Sequence, residues 1–228
     1  MLAALIIAFP GIDLAVSGVF FRNGEFFLRQ HPLVMAVYQF APWLSVPLAA
    51  AALIIHLVLW TTRRMTCCSW SRRVYFFLAL TMAVGPGLVV NGVFKDHFGR
   101  ARPAEIQEFC GDKTFTPALL PADQCRKNCS FSCGHATLGF YFVALSLVLP
   151  GRSGIAAFWL AWAAGWLIGL ARIAQGRHYV SDVLFSFIFV SMTARILHGI
   201  MFAREKRFAA VVPEVPAQAL RFPGVSAE

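Results

Sequence analysis

Charged residues are scarce in this 228-residue sequence, and acidic residues are the scarcest. Asp, Glu, Lys and Arg together make up 14% of the chain, against about 25% in soluble domains. Hydrophobic residues make up 58% of it. This composition excludes an ordinary soluble domain and predicts a protein that crosses a bilayer.

A separate basic surface is also missing, although the net charge is +9. The Lys and Arg residues lie at the ends of apolar runs, where membrane orientation and the binding of anionic lipid head groups explain them. We therefore expect the membrane bilayer and an anionic lipid as partners, and we exclude nucleic acid. The sequence shows no internal repeat and no second core, and it does not indicate an oligomeric state.

The apolar runs predict an all-α membrane bundle of six transmembrane helices. No basic residue precedes the first run and no small-residue cleavage site follows it, so we expect a retained span and not a signal peptide. Pro10 and Asp13 interrupt that span, and the fourth span is short. One domain covers 1–210, and 211–228 is predicted to be a disordered tail. The predicted spans are 2–20, 34–60, 74–94, 135–150, 154–171 and 182–200.

Three local features modify these spans. Segment 21–32 mixes aromatic and charged residues, which predicts a short helix in the membrane interface. Pro86, between two glycines, predicts a kink in the third span. Gly165 and Gly169 are spaced for close helix contact, although chance explains such a pair equally well.

The distribution of basic residues predicts the orientation. The loop 61–73 contains four arginines and no acid, so we place it in the cytoplasm together with both termini. Loops 95–134 and 172–181 then face outward, yet they contain about as many basic residues. That excess departs from the orientation rule, and a catalytic role for these residues accounts for it.

Three cysteines lie in the outer loop 95–134, where an oxidising compartment favours disulfides. Cys125 and Cys129 are close enough to pair, and Cys110 pairing with either is also possible. A metal site is the rival interpretation, but four ligands at zinc spacing are absent from the sequence. We therefore predict no metal and no cofactor. Cys67 and Cys68, on the predicted inner side, are expected to be free thiols.

Three polar groups of residues, 95–103, 130–135 and 172–182, fall at the outer ends of spans three to six. Span parity alone places all three on one side of the membrane. Lys95, Arg102 and Arg172 have the charge to neutralise a phosphate dianion. Because phosphoryl transfer depends mostly on positioning and charge stabilisation, this pattern favours a phosphate-handling enzyme.

Two histidines and one carboxylate complete the pattern. His178 and Asp182 are four residues apart, so they share a helix face, and the carboxylate can fix the tautomer that leaves one ring nitrogen free to attack phosphorus. His135 follows Gly134 at a helix start and can donate a proton to the leaving oxygen. Taken singly, each residue is explained equally well by a non-catalytic role as a membrane anchor, an interfacial polar residue or a helix cap. Such roles do not explain why three cations, two histidines and a carboxylate occur together on one side.

These residues resemble the type 2 phosphatidic acid phosphatase superfamily, whose motifs are Lys-x6-Arg-Pro, Pro-Ser-Gly-His and Ser-Arg-x5-His-x3-Asp. The resemblance covers roughly 74–200, with Ala171 where Ser is usual. It implies a six-helix membrane bundle, a phosphohistidine intermediate and no metal. The resemblance makes His178 the nucleophile, Asp182 its orienting residue and His135 the general acid. It assigns phosphate binding to Lys95, Arg102, Arg172, Gly134 and the residue at position 133.

Position 133 departs from the family. The motif serine is replaced by Cys133, and Ser132 stands where the proline is usual. A thiol is a weaker hydrogen-bond donor than a hydroxyl, so we expect weaker phosphate binding here. A cysteine-nucleophile phosphatase would need Arg six residues later, where Gly139 stands, so we exclude Cys133 as the nucleophile.

Within the superfamily, four short segments resemble the lipid A phosphatases of Gram-negative bacteria. The resemblance implies hydrolysis of a lipid phosphate monoester at the periplasmic face of an inner membrane. Alternatives are undecaprenyl diphosphate or phosphatidylglycerophosphate as substrate, or transfer of the phosphate to another lipid. An oxidising enzyme of the vanadium-dependent type shares this constellation but is usually soluble, so six predicted spans argue against it. A non-enzymatic lipid-binding protein would not explain the helical spacing of His178 and Asp182. The four segments are 11–14, 115–118, 123–125 and 129–131.

Overall fold

The computed structural model describes residues 7–68 and 70–211, with side chains described up to position 203. Within them, four helices are long and apolar enough to cross a membrane. One shorter α-helix and one small hairpin precede the first of them, and a second hairpin and two further short α-helices lie between them. The elements are α1 (Gly11–Gly18), β1 (Phe21–Arg22), β2 (Glu25–Phe26), α2 (Pro32–Thr61), β3 (Thr66–Cys67), β4 (Trp70–Ser71), α3 (Arg72–His97), α4 (Gly134–Phe140), α5 (Val143–Ser146), α6 (Gly151–Ala174) and α7 (Val180–Val211).

The apolar side chains of α2 face outward. Its large residues are exposed, with Trp43 at 78% and Leu33 at 72% of their full area. Most of its buried residues are small and recur at helical spacing, among them Ala41, Ser45 and Ala49. Bilayer helices pack through small residues because the lipid is as apolar as the side chains. This pattern supports a lipid-facing surface on α2.

Helix α3 changes its hydrogen-bonding pattern in mid-span. From Ala83 to Phe94 it is a π-helix that contains Pro86. Proline removes a backbone donor and clashes with the preceding turn, and the Asn91 side-chain amide donates to the Pro86 carbonyl at 2.7 Å. The interruption that the sequence predicts at Pro86 therefore takes the form of a wider helical segment, which leads directly into Lys95.

The predicted fourth span, 135–150, corresponds to the two short helices α4 and α5. A side chain at Gly139 would meet the backbone of Gly165 at 2.6 Å, and one at Gly169 would meet Val183. The two glycines of α6 therefore permit close contact with two different helices, α4 and α7. This geometry supports the packing interpretation of the Gly165 and Gly169 pair.

The helix predicted for segment 21–32 is wrong. The segment instead forms the antiparallel β1–β2 hairpin, in which Arg22 pairs with Glu25. Asn23 and Gly24 both adopt positive φ angles, of 53° and 85°. Asn-Gly is the preferred pair for the tight turn of a two-residue hairpin, and this local signal overrides the amphipathic composition.

Two predictions at the chain ends lie partly outside the described residues. Helix α1 has eight residues, about 12 Å of helix, whereas a hydrocarbon core is about 30 Å thick. It begins directly after Pro10. Residues 1–6 and the predicted disordered tail, apart from Val211 at the end of α7, lie outside the described part. The six-span count and the cytoplasmic termini therefore remain predictions.

All three polar sequence groups lie at one end of the bundle. Helices α3 and α6 end there, near Lys95 and Arg172, and α2 and α7 begin there. The β3–β4 hairpin joins α2 to α3 at the opposite end. We call the first the catalytic-group end and the second, where the β3–β4 hairpin lies, the hairpin end.

This polarity yields a topology test with thiol labelling. Cys110 and Cys68 are both exposed free thiols, at the catalytic-group end and the hairpin end respectively. If the catalytic groups face outward, a membrane-impermeant maleimide will label Cys110 in intact spheroplasts and will reach Cys68 only after permeabilisation. Mass spectrometry of variants with Cys110→Ser or Cys68→Ser identifies the labelled site. Labelling of Cys68 alone in intact spheroplasts would invert the topology.

Candidate active site

A cavity of about 500 Å³ lies at the catalytic-group end. It brings together four predicted site residues, Lys95, Arg102, His135 and Arg172. The sequence groups 95–103, 130–135 and 172–182 therefore meet in space, as span parity predicts. The other residues that line the cavity are Arg29, Gln30, Met35, Tyr38, Asn128, Gln175 and Arg177.

Neutral partners hold two of the cations in place. Arg172, in the last turn of α6, donates to the Gln175 side chain at 2.5 Å, and its guanidinium lies 4.4 Å from the centre of the Tyr38 ring. Arg102 donates to the Asn128 carbonyl at 2.6 Å. Because these partners carry no negative charge, the positive charge of both side chains stays available for an anion.

His135 stands at the start of α4 and lines the cavity. Its ring lies 4.5 Å from the Tyr38 ring, centre to centre. The buried Nδ1 atom has no hydrogen-bond partner among the described residues. Tyr38 thus contacts both His135 and Arg172, and sequence reasoning missed it because α2 carries none of the three motifs.

His178 is 1% exposed and does not line the cavity itself. Its Nδ1 atom lies 2.7 Å from the Ser130 carbonyl and 3.5 Å from the nearer Asp182 carboxylate oxygen. A carbonyl only accepts, so Nδ1 carries the proton and Nε2 the lone pair. Burial lowers the pKa of His178 to about 4, although Asp182 opposes the shift. At neutral pH the imidazole is therefore uncharged, as a nucleophile requires.

Asp182 orients His178 partly through Ser130. Its carboxylate accepts hydrogen bonds from the Ser130 hydroxyl at 2.6 Å and from the Tyr179 backbone N–H at 2.9 Å. The carbonyl of the same serine accepts a hydrogen bond from the Nδ1–H of His178. The sequence predicted a direct His178–Asp182 pair, and the structure adds a serine that contacts both residues.

Arg100 is the main residue of the site that the sequence left unassigned. It is 1% exposed, and it donates to Asp182 at 2.6 Å and to Asp13 at 2.8 Å. Its guanidinium also lies 4.0 Å from the centre of the Tyr179 ring. Asp13 in turn accepts from the Ser181 backbone N–H at 2.9 Å. A lone acid in an apolar run needs a buried partner, so Asp13 was the signal for this contact.

Comparison with known proteins identifies the family. Residues 74–206, more than half of the chain, match the PAP2 superfamily. The chain belongs to this superfamily. The match includes all three polar groups that surround the cavity.

Among curated relatives, the chain is 43% identical to a lipid A 4'-phosphatase of Francisella tularensis subsp. novicida, over 59% of this chain and 61% of that protein. The matched region thus spans less than two thirds of that relative. The chain is 30% identical to a lipid A 4'-phosphatase of Rhizobium leguminosarum, over 82% of this chain and 86% of that protein. It is 36% identical to a lipid A 1-phosphatase of Rhizobium etli, over 54% and 49%. No solved structure matches the chain.

Cys133, at the PAP2 serine position, is completely buried. Burial raises the pKa of its thiol to about 11, although Arg172 and Lys95 oppose the shift. The sulfur is therefore a neutral thiol at pH 7, in keeping with its exclusion as the nucleophile. Its closeness to the two cations places it where the PAP2 motif serine is expected to meet phosphate.

Gly134, the next PAP2 motif residue, makes room for Lys95. A side chain at Gly134 would lie 2.5 Å from the Asn91 amide oxygen and 3.3 Å from the Lys95 ammonium nitrogen. Any larger residue would displace one of these groups. The absence of a side chain at Gly134 therefore leaves the space that the Asn91 amide and the Lys95 ammonium group occupy.

A disulfide joins Cys125 to Cys129 in the loop before α4, and Cys110 is a free, exposed thiol. This is one of the pairings that the sequence left open. The backbone N–H of Cys129 donates to the Lys95 carbonyl at 3.0 Å, and that of Ser130 donates to the Arg100 carbonyl at 3.0 Å. The bridged loop is thus attached to the last turn of α3 and to the residues that follow it.

We expect Arg100→Gln to destabilise the protein by about 3–5 kcal/mol, because it leaves two buried carboxylates without their cation. It should also lower kcat, because Asp182 then loses its position beside Ser130. Lys113→Gln is the control, since it breaks the partly exposed Lys113–Glu105 pair, which is worth about 0–1 kcal/mol. Thermal unfolding in detergent and initial rates measure both effects. Equal stability of the two variants would contradict the assignment.

For Cys133→Ser we expect catalytic efficiency to rise about tenfold, which corresponds to roughly 1.4 kcal/mol of transition-state stabilisation. A hydroxyl donates a stronger hydrogen bond to a charged phosphate oxygen than a thiol does. Cys133→Ala removes the donor and should not show the gain. The comparison uses one lipid substrate over a pH series. Lower efficiency of the Ser variant at every pH would mean that the site is adapted to the thiol.

Proposed function

We propose that this protein is an integral membrane phosphatase that removes the 4'-phosphate of lipid A at the periplasmic face of a bacterial inner membrane. One observation carries the proposal: the three predicted phosphate-binding cations and His135 line one cavity, and the buried, neutral His178 lies beside it. The names of the relatives support lipid A as the substrate. Three relatives at or above 30% identity are named for the 4' position and two for the 1 position, and the relative with 86% of its length matched is one of the 4'-phosphatases.

In the first step, the Nε2 lone pair of His178 attacks phosphorus and the bond to the lipid oxygen breaks. Lys95, Arg102 and Arg172 stabilise the charge on the phosphoryl oxygens, as positioned cations do in phosphoryl transfer. His135 gives its proton to the departing oxygen, so the lipid leaves as an alcohol. The phosphate is then bonded to His178.

In the second step, water attacks the phosphohistidine. His135, now neutral, accepts the proton of the water, and the P–N bond breaks to return the electron pair to Nε2. Inorganic phosphate leaves and both histidines regain their starting state. The cations supply the positive charge at the phosphate, so the proposed reaction needs no metal.

The charges of the cavity link binding to catalysis. Burial is the main cause that disfavours a proton on His135 while the phosphate is absent, and repulsion from Arg172 and Lys95 adds to it. A bound phosphate dianion neutralises those cations and favours the protonated imidazole. Binding of the substrate thus shifts His135 toward the protonated form that the proposed general acid requires.

The test is phosphate release from purified lipid A in mixed micelles that contain EDTA. We expect His178→Ala to lower turnover by about three orders of magnitude or more, because the covalent step is lost. His97→Ala is the matched control, since His97 is an exposed histidine of the same motif region, and among the described residues its ring contacts the Val93 carbonyl. Residual His178→Ala activity within tenfold of wild type would contradict the nucleophile assignment. Phosphate appearing on an added acceptor lipid, and not in solution, would favour a phosphotransferase.

A further inference from the structure

The cavity contains more positive charge than one phosphate requires. Lys95, Arg102 and Arg172 can neutralise a phosphate monoester, whose charge is about −1.5 to −2 at pH 7. Arg29 and Arg177 line the same cavity, and none of the described residues that line it is Asp or Glu. Two arginines are therefore left without a role in the proposed reaction.

These two arginines are held close together by packing. Phe26, at the end of the β1–β2 hairpin, lies against Gly176, where a side chain would come within 2.5 Å of the Phe26 ring. Gly176 has a φ of 67° and precedes Arg177. Arg29 follows the hairpin, and its backbone N–H donates to the Phe26 carbonyl at 2.9 Å. The hairpin thus places Arg29 beside Arg177.

The arrangement opposes folding when nothing is bound. Burial lowers the pKa of Arg177, and repulsion from Arg102 and Arg29 lowers it further, with only partial compensation by Glu105. Neither Arg29 nor Arg177 forms an ion pair among the described residues. Like charges gathered in a cavity without acidic partners destabilise the free protein, which is typical of sites that bind an anion.

We propose that Arg29 and Arg177 form a second anion subsite, which binds a second phosphate group of the same lipid molecule. This inference rests on the proposed function. Two guanidinium groups match phosphate oxygens in paired hydrogen bonds, which an ammonium group does not provide. A cavity of about 500 Å³ falls within the usual range for sites that hold a whole small-molecule ligand. The subsite selects lipids that carry phosphates at both ends of the head group.

The test compares two lipids, bisphosphorylated lipid A and a lipid A that carries only the 4'-phosphate. In mixed micelles at fixed ionic strength, wild type should have the higher kcat/KM for the bisphosphate. In the Arg29→Gln, Arg177→Gln double variant, the ratio of the two kcat/KM values should fall about tenfold or more, mainly through KM. Equal losses on both lipids would overturn the subsite, since the arginines would then serve the reacting phosphate or the fold.

Arg126→Gln is the matched control for general attraction to anionic lipid. Arg126 is exposed in the disulfide-bridged loop and does not line the cavity. The substitution removes the same type of charge, and the ratio of the kcat/KM values for the two lipids should stay at the wild-type value. A comparable fall of the ratio in this variant would overturn the subsite and assign the preference to surface charge.

Binding separates this proposal from the proposed function. Dissociation constants of both lipids are measured with His178→Ala, with and without the two arginine substitutions. A preference for the bisphosphate that requires Arg29 and Arg177 supports the subsite, and equal affinities overturn it, whether or not wild type releases phosphate. Failure of wild type to hydrolyse either lipid contradicts the proposed function alone.

Discussion

The site depends on the buried contact between Arg100 and Asp182. Ions inside a protein are costly unless they are paired, and removing one partner costs more than the pair contributes. Arg100 also binds Asp13 and contacts the Tyr179 ring, so one side chain joins α1 to the start of α7. The position of Asp182 beside Ser130, and through it the orientation of His178, follows from this contact.

Charge is arranged in two layers around His178. Arg100 and its two carboxylates lie on the buried side, where they satisfy one another. The cavity on the other side contains cations whose partners are neutral amides, carbonyls and a tyrosine ring. A neutral imidazole between the layers keeps its lone pair, while the cations remain free to bind an anion. The proposed nucleophile and the proposed anion-binding groups are therefore kept chemically distinct.

The sequence predicted the long helices and the meeting of the three polar groups because both depend on local spacing. Apolar runs locate α2, α3, α6 and α7, and the Lys95, His135 and Arg172 motifs meet as span parity requires. Contacts between distant segments were beyond this reasoning. Asp13 and Arg100 are 87 positions apart, and no spacing rule connects them. The β1–β2 hairpin was missed for a different reason: its Asn-Gly turn signal was present but outweighed by an amphipathic composition.

The departure from the positive-inside rule now has a physical account. Of the basic residues that made loops 95–134 and 172–181 exceptional, Lys95, Arg102, Arg172 and Arg177 line the cavity, and Arg100 is neutralised by buried carboxylates. The rule describes basic residues that remain free to interact with the membrane surface and its potential. Residues committed to a cavity or to a buried ion pair serve a different purpose. When they are set aside, three basic residues remain in the loop 95–134, namely Lys113, Arg126 and Lys127, against four arginines in the loop 61–73. The balance then agrees in sign with the outward orientation predicted for the catalytic-group end.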